Sequence, residues 1–578
     1  MDILLLICSF LEDVDLFTLM SVSSAFYHIA RQLQHHTVRV DMDLLWQTEA
    51  RLDILSSGHL LAAVRVLEIT FKNTPEGEVG ADKILARLVD MLPGMTGLRD
   101  LHWHMASPSA SQRLLPQQWQ VPSPIPRSIL DRIPSRTRLY TSIYVKDEPH
   151  DRARAFLAQL IDNKNLHSLS IHIGFSHDPE CGATMVILKR VLLSCPHLVR
   201  IPCLFVTPPP YHSGPYFGEV YCGLGLSGGE KPPALEEMGI GEYPWGSEST
   251  ELTRSRRDPW SIGYPEKGNE TEYWAETFDW SRLRKINNIP GGLIRDLAPK
   301  LTALKEINFD ASIFYRDKVM LLEQIPTTLE SLSFPSWQII GNRHSAIIRH
   351  GDTLRKLVIH WSEPTRLEAP MADSDLVILS KGLPHLEELA FDLSRDDTKN
   401  DWLYETLDIV ADFPRLRNLQ LYLALPDPRA LRAPHVTVST IRQLLTYLRN
   451  RNRNIQRLEL SSFSIEDPSM RFPNHAWGIQ NSIRLICEVS FHGVDAADGL
   501  LRVTSPDFSP EMNLELSRLE REPQKRREPV AGNAKELMLD VAIHGPLIPD
   551  SWRLPGDQSQ RQRRSVMKRL VSRARSWI

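Results

Sequence analysis

Three sets of residues in this chain have the types and spacing to do chemistry. Gly223, Gly225 and Gly228 spell G-x-G-x-x-G, a pattern whose bare backbone can cradle a phosphate where a strand turns into a helix. No clear strand precedes it, no helix follows, and Pro232-Pro233 blocks the helix that would have to hold the phosphate. Histidines recur as His35 and His36, His102 and His104, and His167, His172 and His177, but without Cys or carboxylate companions at metal-ligand spacing. Polar strand or surface positions account for them. Asp392, Asp396, Asp397 and Asp401 lack the glycine turn and closing Glu of a calcium loop and read as a solvated bend. The expectation is a chain with no catalytic residue, no metal site and no cofactor.

Composition narrows the partners. The chain has 578 residues, more than one ordinary domain, and its 42% apolar content suffices for a large core or a continuous repeating one. Lys plus Arg (67) nearly cancel Asp plus Glu (71), which argues against a global electrostatic partner such as nucleic acid. Any charged partner has to be read locally. Cys8, Cys181, Cys195, Cys203, Cys222 and Cys487 are scattered with no C-x-x-C pair, as in a reducing compartment, so the expected location is cytoplasmic, nuclear or both. The apolar run 3–11 follows Asp2 instead of a basic stretch and leads into Glu12-Asp13-Val14-Asp15, unlike a signal peptide. No run approaches the ~18–20 apolar residues a membrane span needs, and Asn269-Glu270-Thr271 is a chance match to a glycosylation acceptor.

Residues 1–40 predict three short helices, 2–11, 15–20 and 24–34, with Asp15 and Ser23 or Ser24 placed as N-caps. Ile3, Leu4, Ile7, Leu11, Leu16, Leu19, Val22, Phe26, Tyr27, Ile29 and Ala30 are more apolar surface than a unit of this size can hide alone. Some of it wants a partner. The run Asp2-Ile3-Leu4-Leu5-Leu6-Ile7-Cys8-Ser9-Phe10-Leu11, with Asp15-Leu16-Phe17-Thr18-Leu19 and Val22-Ser23-Ser24-Ala25-Phe26, resembles an F-box in order and spacing. That resemblance implies three helices clamping the SKP-type adaptor of cullin-RING ubiquitin ligases. It assigns the adaptor contact to Ile3, Leu4, Ile7, Leu11, Leu16, Leu19, Val22 and Phe26. The Leu-Pro pair that opens the family's motif is missing before Asp2, so either the start is truncated or docking is weakened.

Beyond the module an apolar triplet of the form L-x-x-L-x-L recurs. Clear copies are Leu98-Leu101-Trp103, Leu166-Leu169-Ile171, Leu304-Ile307-Phe309, Leu329-Leu332-Phe334, Leu354-Leu357-Ile359, Leu386-Leu389-Phe391, Leu416-Leu419-Leu421 and Ile455-Leu458-Leu460, with Val64-Leu67-Ile69 as the first. The segments 82–92, 184–193, 374–383 and 440–448 carry helical apolar spacing, and Pro often marks the joint, as in Leu383-Pro384 and Phe413-Pro414. The fold class expected is α/β: the helical module, then over 41–500 an irregular array resembling degenerate leucine-rich repeats of fungal type. Such an array is a horseshoe with parallel strands on the concave face and helices on the convex face. Irregular insertions are expected at about 106–150 and 207–275, an irregular or capping C-terminal segment at 501–556 and a basic tail at 557–578.

Function in such an array sits between the core positions of the strands. The candidates are His102 and His104 with Arg99, His360 and Trp361, and Gln420 and Tyr422 with Arg417, as contacts for a protein substrate. The aromatic-rich stretch 207–275 reads either as a structural loop or as a surface that folds over the strands or binds something. In the tail, seven basic residues from Arg561 to Arg575 face the single acid Asp557. Helical there, it would suit a membrane surface, an import receptor or a protein partner, and free it would be solvated chain. The function implied is a substrate-recognition adaptor of an SCF-type ligase, linked through the SKP-type adaptor to cullin and holding a protein substrate. A leucine-rich scaffold with a vestigial F-box is the alternative.

Overall fold

The computed structural model describes residues 8, 13–42, 45–57, 60–71, 79–105, 125–145, 150–174, 178–207, 221, 223–241, 243, 245, 270–289, 291–309, 315–360, 371–393, 401–425, 435–464, 481–490, 500–521 and 534–546. The chain divides into two compact units, residues 1–304 with 324–327, and residues 305–323 with 328–578.

In the first unit the strands run parallel in sequence order: β1 (Thr37–Asp41), β2 (Val66–Phe71), β3 (Asp100–Met105), β4 (Arg138–Val145), β5 (Leu166–Gly174), β6 (Arg200–Thr207), β7 (Glu237–Ile240) and β8 (Lys285–Asn287). The second unit holds β9 (Glu306–Asn308), β10 (Ser331–Phe334), β11 (Lys356–Ile359), β12 (Glu388–Asp392), β13 (Asn418–Leu425), β14 (Arg457–Ser464), β15 (Arg484–Ser490) and β16 (Leu500–Thr504). These are parallel as far as β14. The last two pairings are antiparallel, a departure from the all-parallel expectation.

The triplets explain the ladder. All nine fall on strands, β2, β3, β5 and β9 to β14, and their residues stack in register as inward columns. Ile307, Leu332, Leu357, Leu389, Leu419, Leu458 and Cys487 pair successively across the second unit, each 1% exposed or less. Between strands run helices such as Val79–Met91, Asp178–Ser194, Asp373–Gly382 and Val438–Arg451, which return the chain so that each new strand can lie parallel to the last. Consecutive helices pack on one another, as Asp373–Gly382 does on Tyr404–Ala411 and Tyr404–Ala411 on Val438–Arg451. Joints are tied by side chains: the buried Asn452 amide donates to the carbonyls of Ala411 (3.1 Å) and Phe413 (2.8 Å), beside Pro414.

Strands the triplet search misses have physical reasons. The array begins one strand early, at β1, where Val38 and Val40 supply the buried positions. β4 lies inside the stretch 106–150 expected to be irregular, because Arg136 and Thr141 occupy two of its three triplet places. Thr141 is nevertheless buried, its hydroxyl donating to the Trp103 carbonyl at 2.8 Å, which removes the desolvation cost. β7, inside 207–275, carries Leu235-Met238-Ile240 at the right spacing but is surrounded by Gly and Pro.

At the N-terminus, helices Asp13–Met20 and Ser24–Gln34 enclose a small core of Cys8, Leu16, Ile29 and Ala30, with Leu19, Met20, Phe26 and Leu33 packed against it. Ser23 is the N-cap, its Oγ accepting from the Phe26 amide at 3.3 Å. Asp15 lies inside its helix, so the cap expected there is not formed. Of the expected first helix, 2–11, only Cys8 falls within the described residues, and it is helical. The stretch 501–556, expected to be irregular, contains most of β16 and the helices Pro510–Arg521 and Ala534–His544. Among the described residues no helix is long and apolar enough to cross a membrane. The basic tail lies outside them.

Candidate functional site

Alternation along a strand sends every second side chain away from the core, and in-register pairing lines those side chains up in columns. In the second unit the column nearest the strand starts reads Lys305, Glu330, Arg355, Glu387, Arg417 and Gln456, each backbone N–H donating to the previous carbonyl. Its signs alternate, and two neighbouring pairs are closed: Lys305 with Glu330, and Arg355 with Glu387 at 3.2 Å. The next column repeats this, with Lys356 on Glu388 at 2.9 Å and Arg457 on Glu488 at 3.5 Å. Such exposed pairs fix register more than they add stability.

Further along the strands the columns are less ordinary. His360, Asp392, Tyr422 and Ser461 follow one another across β11 to β14. The His360 ring stacks flat on Tyr422, with Nδ1 held 2.6 Å from Asp392 Oδ1. One column back, the Gln420 amide donates to Glu459, which also receives Arg484 and Arg457. Glu459 is buried, so its paired cations keep a charge that would otherwise be costly to desolvate. Burial and the Glu459 carboxylate push the Tyr422 phenol up to about 12, so it stays a neutral donor. The hydrogen bond to Glu459 raises the Arg484 guanidinium, and burial raises the Asp507 carboxyl facing both.

Ser461, the hydroxyl of the same column, has no hydrogen-bond partner among the described residues and so is not bonded to His360. No group of His, Cys, Asp and Glu among the described residues is arranged to hold a metal.

In the first unit the outward side chains include stacked rings. His102 stacks on Tyr140 (centroids 4.4 Å, planes 4° apart), and Tyr140 meets His167 edge-on at 5.3 Å. Four residues along, Tyr144, His172 and Phe205 stack at 4.2 and 4.5 Å. Phe205 lies over Gly241, where an added Cβ would come within 2.1 Å of the ring. Burial lowers the His102 and His167 pKa values, with Arg138 acting in the same direction on both.

Part of the aromatic stretch 207–275 is a structural tie. Glu270, fully buried, accepts from the Leu226 amide (2.9 Å), the Tyr243 hydroxyl (2.8 Å) and the Tyr221 hydroxyl. Gly223 makes room for it: a Cβ there would sit 2.6 Å from the carboxylate and 2.3 Å from the Tyr221 hydroxyl. Burial raises the Glu270 pKa, and Trp245 and Trp274 pack around Tyr243. Gly223, the first glycine of the phosphate-like pattern, thus sits against a carboxylate, while an added Cβ at Gly225 or Gly228 would meet nothing.

Of the candidate substrate contacts, His360, Gln420 and Tyr422 come together in the second unit. His102 lies in the first, and His104 pairs through its backbone with Thr70 while its side chain lies outside the described residues. Trp361 also lies outside them. Sequence reasoning passed over Asp392, dismissed as part of a bend, and Glu459, Arg484 and Tyr140. Register, which only the ladder supplies, is what joins them. Of the candidate adaptor contacts, Leu16 is 4% exposed in the module's own core, Leu19 and Phe26 are half-buried against it, and Val22 is 64% exposed. Ile3, Leu4, Ile7 and Leu11 lie outside the described residues.

Helix, joint and short parallel strand, repeated with an apolar triplet on each strand, define a fold of the leucine-rich-repeat type. No known family profile matches the sequence, and no curated protein matches it. Among solved structures it is similar to the leucine-rich repeat-containing protein LegL7 from Legionella pneumophila, at 10% identity over 70% of this chain and 95% of that one. The TM-score is 0.27, so the fold class rests on the strand ladder itself.

Proposed function

We propose that this chain is the substrate-recognition adaptor of an SCF-type cullin-RING ubiquitin ligase. Its N-terminal helices dock on the SKP-type adaptor, and through it on cullin, while the outward strand face holds a protein substrate. The covalent chemistry belongs to partner enzymes, and the place of action is the cytoplasm, the nucleus or both. The observation that carries the reading is the coupling of two features in one chain. One is a leucine-rich-repeat type of sheet with a polar, ring-bearing face suited to protein contact. The other is a preceding helical module whose sequence resembles an F-box and which leaves Val22 64% and Tyr27 37% exposed. Capture of a purified SKP-type adaptor by the full chain tests it. A chain that binds a protein substrate but never the adaptor is instead a leucine-rich-repeat scaffold.

A further inference from the structure

At the strand starts of the first unit one column breaks the rule of alternating charge. The amides of Arg65 and Val66 both donate to the His36 carbonyl (2.9 and 3.0 Å), those of Arg99 and Asp100 both donate to the Arg65 carbonyl (2.8 and 3.0 Å), and that of Arg138 donates to the Arg99 carbonyl (2.7 Å). His36, Arg65 and Arg99 therefore stand in line, one strand spacing apart. The nearby carboxylates are already engaged: Glu68 by Arg39 at 2.7 Å, and Asp100 by both arms of Arg138 at 2.6 and 2.9 Å. Among the described residues neither Arg65 nor Arg99 has a carboxylate partner, and Arg65 turns Nη1 to the Ala62 carbonyl at 2.6 Å. Both guanidiniums lower the His36 pKa after burial, which places their charges close to its ring. Like charges on neighbouring strands destabilise a sheet. The equivalent column of the second unit, from Lys305 to Arg417, avoids that cost throughout.

We infer that the His36–Arg65–Arg99 column is a docking surface for an acidic peptide segment of a protein partner. The Asp or Glu side chains of such a segment supply the missing negative charge. The choice of occupant follows from charge complementarity. Two arginines one strand spacing apart, beside a histidine whose lowered pKa leaves it a neutral hydrogen-bond donor, match a few separated carboxylates. A nucleic acid, with a phosphate every ~1.7 Å of duplex axis, would press charge against the flanking Glu68 and Asp100. The inference rests on the reading of the strand face as a protein-binding surface and names the class of segment that face takes in the first unit. It is independent of adaptor docking.

The probe is a short fluorescent peptide of alternating Glu and Ser, titrated with the full chain at low salt and followed by anisotropy. Saturable binding is expected, weakened about tenfold by Arg99→Ala together with Arg65→Ala. Arg138→Ala, which removes an arginine already paired, should change it much less. Because Arg99 is exposed and makes no side-chain hydrogen bond in the described structure, Arg99→Ala alone keeps the test valid if the double variant fails to fold. It should still weaken the peptide measurably. Equal binding by wild type and Arg99→Ala, absence of saturation, or tighter binding of a single-stranded oligonucleotide of equal charge would each overturn the inference. Adaptor capture is measured on the same variants. In the wild-type chain, capture with no peptide binding defeats this inference alone, and peptide binding without capture defeats the ligase reading alone.

Discussion

His360 and Tyr422, on either side of β12, lie face to face with ring centroids 3.3 Å apart and planes 2° apart, above the Asp392 carboxylate that holds His360 Nδ1. Neither residue is close to the other in sequence, and neither strand pairs with the other. Asp392 is the only side chain of the column between them, and being short it leaves the gap the rings close.

That contact predicts energetic coupling. In a double-mutant cycle of His360→Ala and Tyr422→Ala, read by thermal unfolding, the interaction term should be about 0.5–1.5 kcal/mol, as for other ring pairs. A term indistinguishable from zero would mean the rings do not stack in solution.

The inward columns predict a larger effect. Leu389, 1% exposed and flanked in register by Leu357 and Leu419, should cost about 2–5 kcal/mol as Leu389→Ala. Denaturant unfolding measures it. A cost below about 0.5 kcal/mol, the surface value, would put the side chain outside the core.

His350 predicts acid sensitivity. It is fully buried, its ring nitrogens make no well-formed hydrogen bond, and burial with the neighbouring Arg349 lowers its pKa to about 4, the Leu322 carbonyl offsetting only part. The unfolded chain, titrating near 6.5, binds the proton first as pH falls. This group's contribution is therefore intact above pH ~6.5 and is lost towards pH ~4, on the order of 2–3 kcal/mol. His350→Leu should flatten the fall in melting temperature across that window and should not destabilise at pH 7, since it removes unpaired buried nitrogens. An unchanged pH profile in the variant would show that His350 is not the titrating group.

Much of the fold is legible in the sequence because the apolar triplets are both the signal and the cause: nine mark nine strands, and the helical spacings between them mark the returning helices. β4 and β7 were hidden for opposite reasons. In β4 a buried Thr141 satisfied by a carbonyl replaces an apolar residue, and in β7 a correct triplet is masked by its glycine-rich surroundings. The candidate site was only half legible. His360, Gln420 and Tyr422 stand out as polar or aromatic residues between core positions. Asp392, Glu459 and Arg484 gain their meaning from register across strands 30 or so residues apart, which no local pattern encodes. The antiparallel turn at β15 and β16 has no triplet to announce it.

The proposed docking of a SKP-type adaptor on the N-terminal helices is open to direct measurement. Leu16, being core, is a poor probe, since its replacement by Asp would unfold the module. Val22 and Tyr27 are exposed, so Val22→Asp with Tyr27→Asp alters the surface and spares the fold. The measurement is co-purification of the full chain with the purified adaptor, alongside far-ultraviolet circular dichroism of both forms. The wild-type chain is expected to retain the adaptor, and the double variant, equally folded, to lose it. A wild-type chain that retains none, or a folded double variant that retains it undiminished, would contradict the proposed docking.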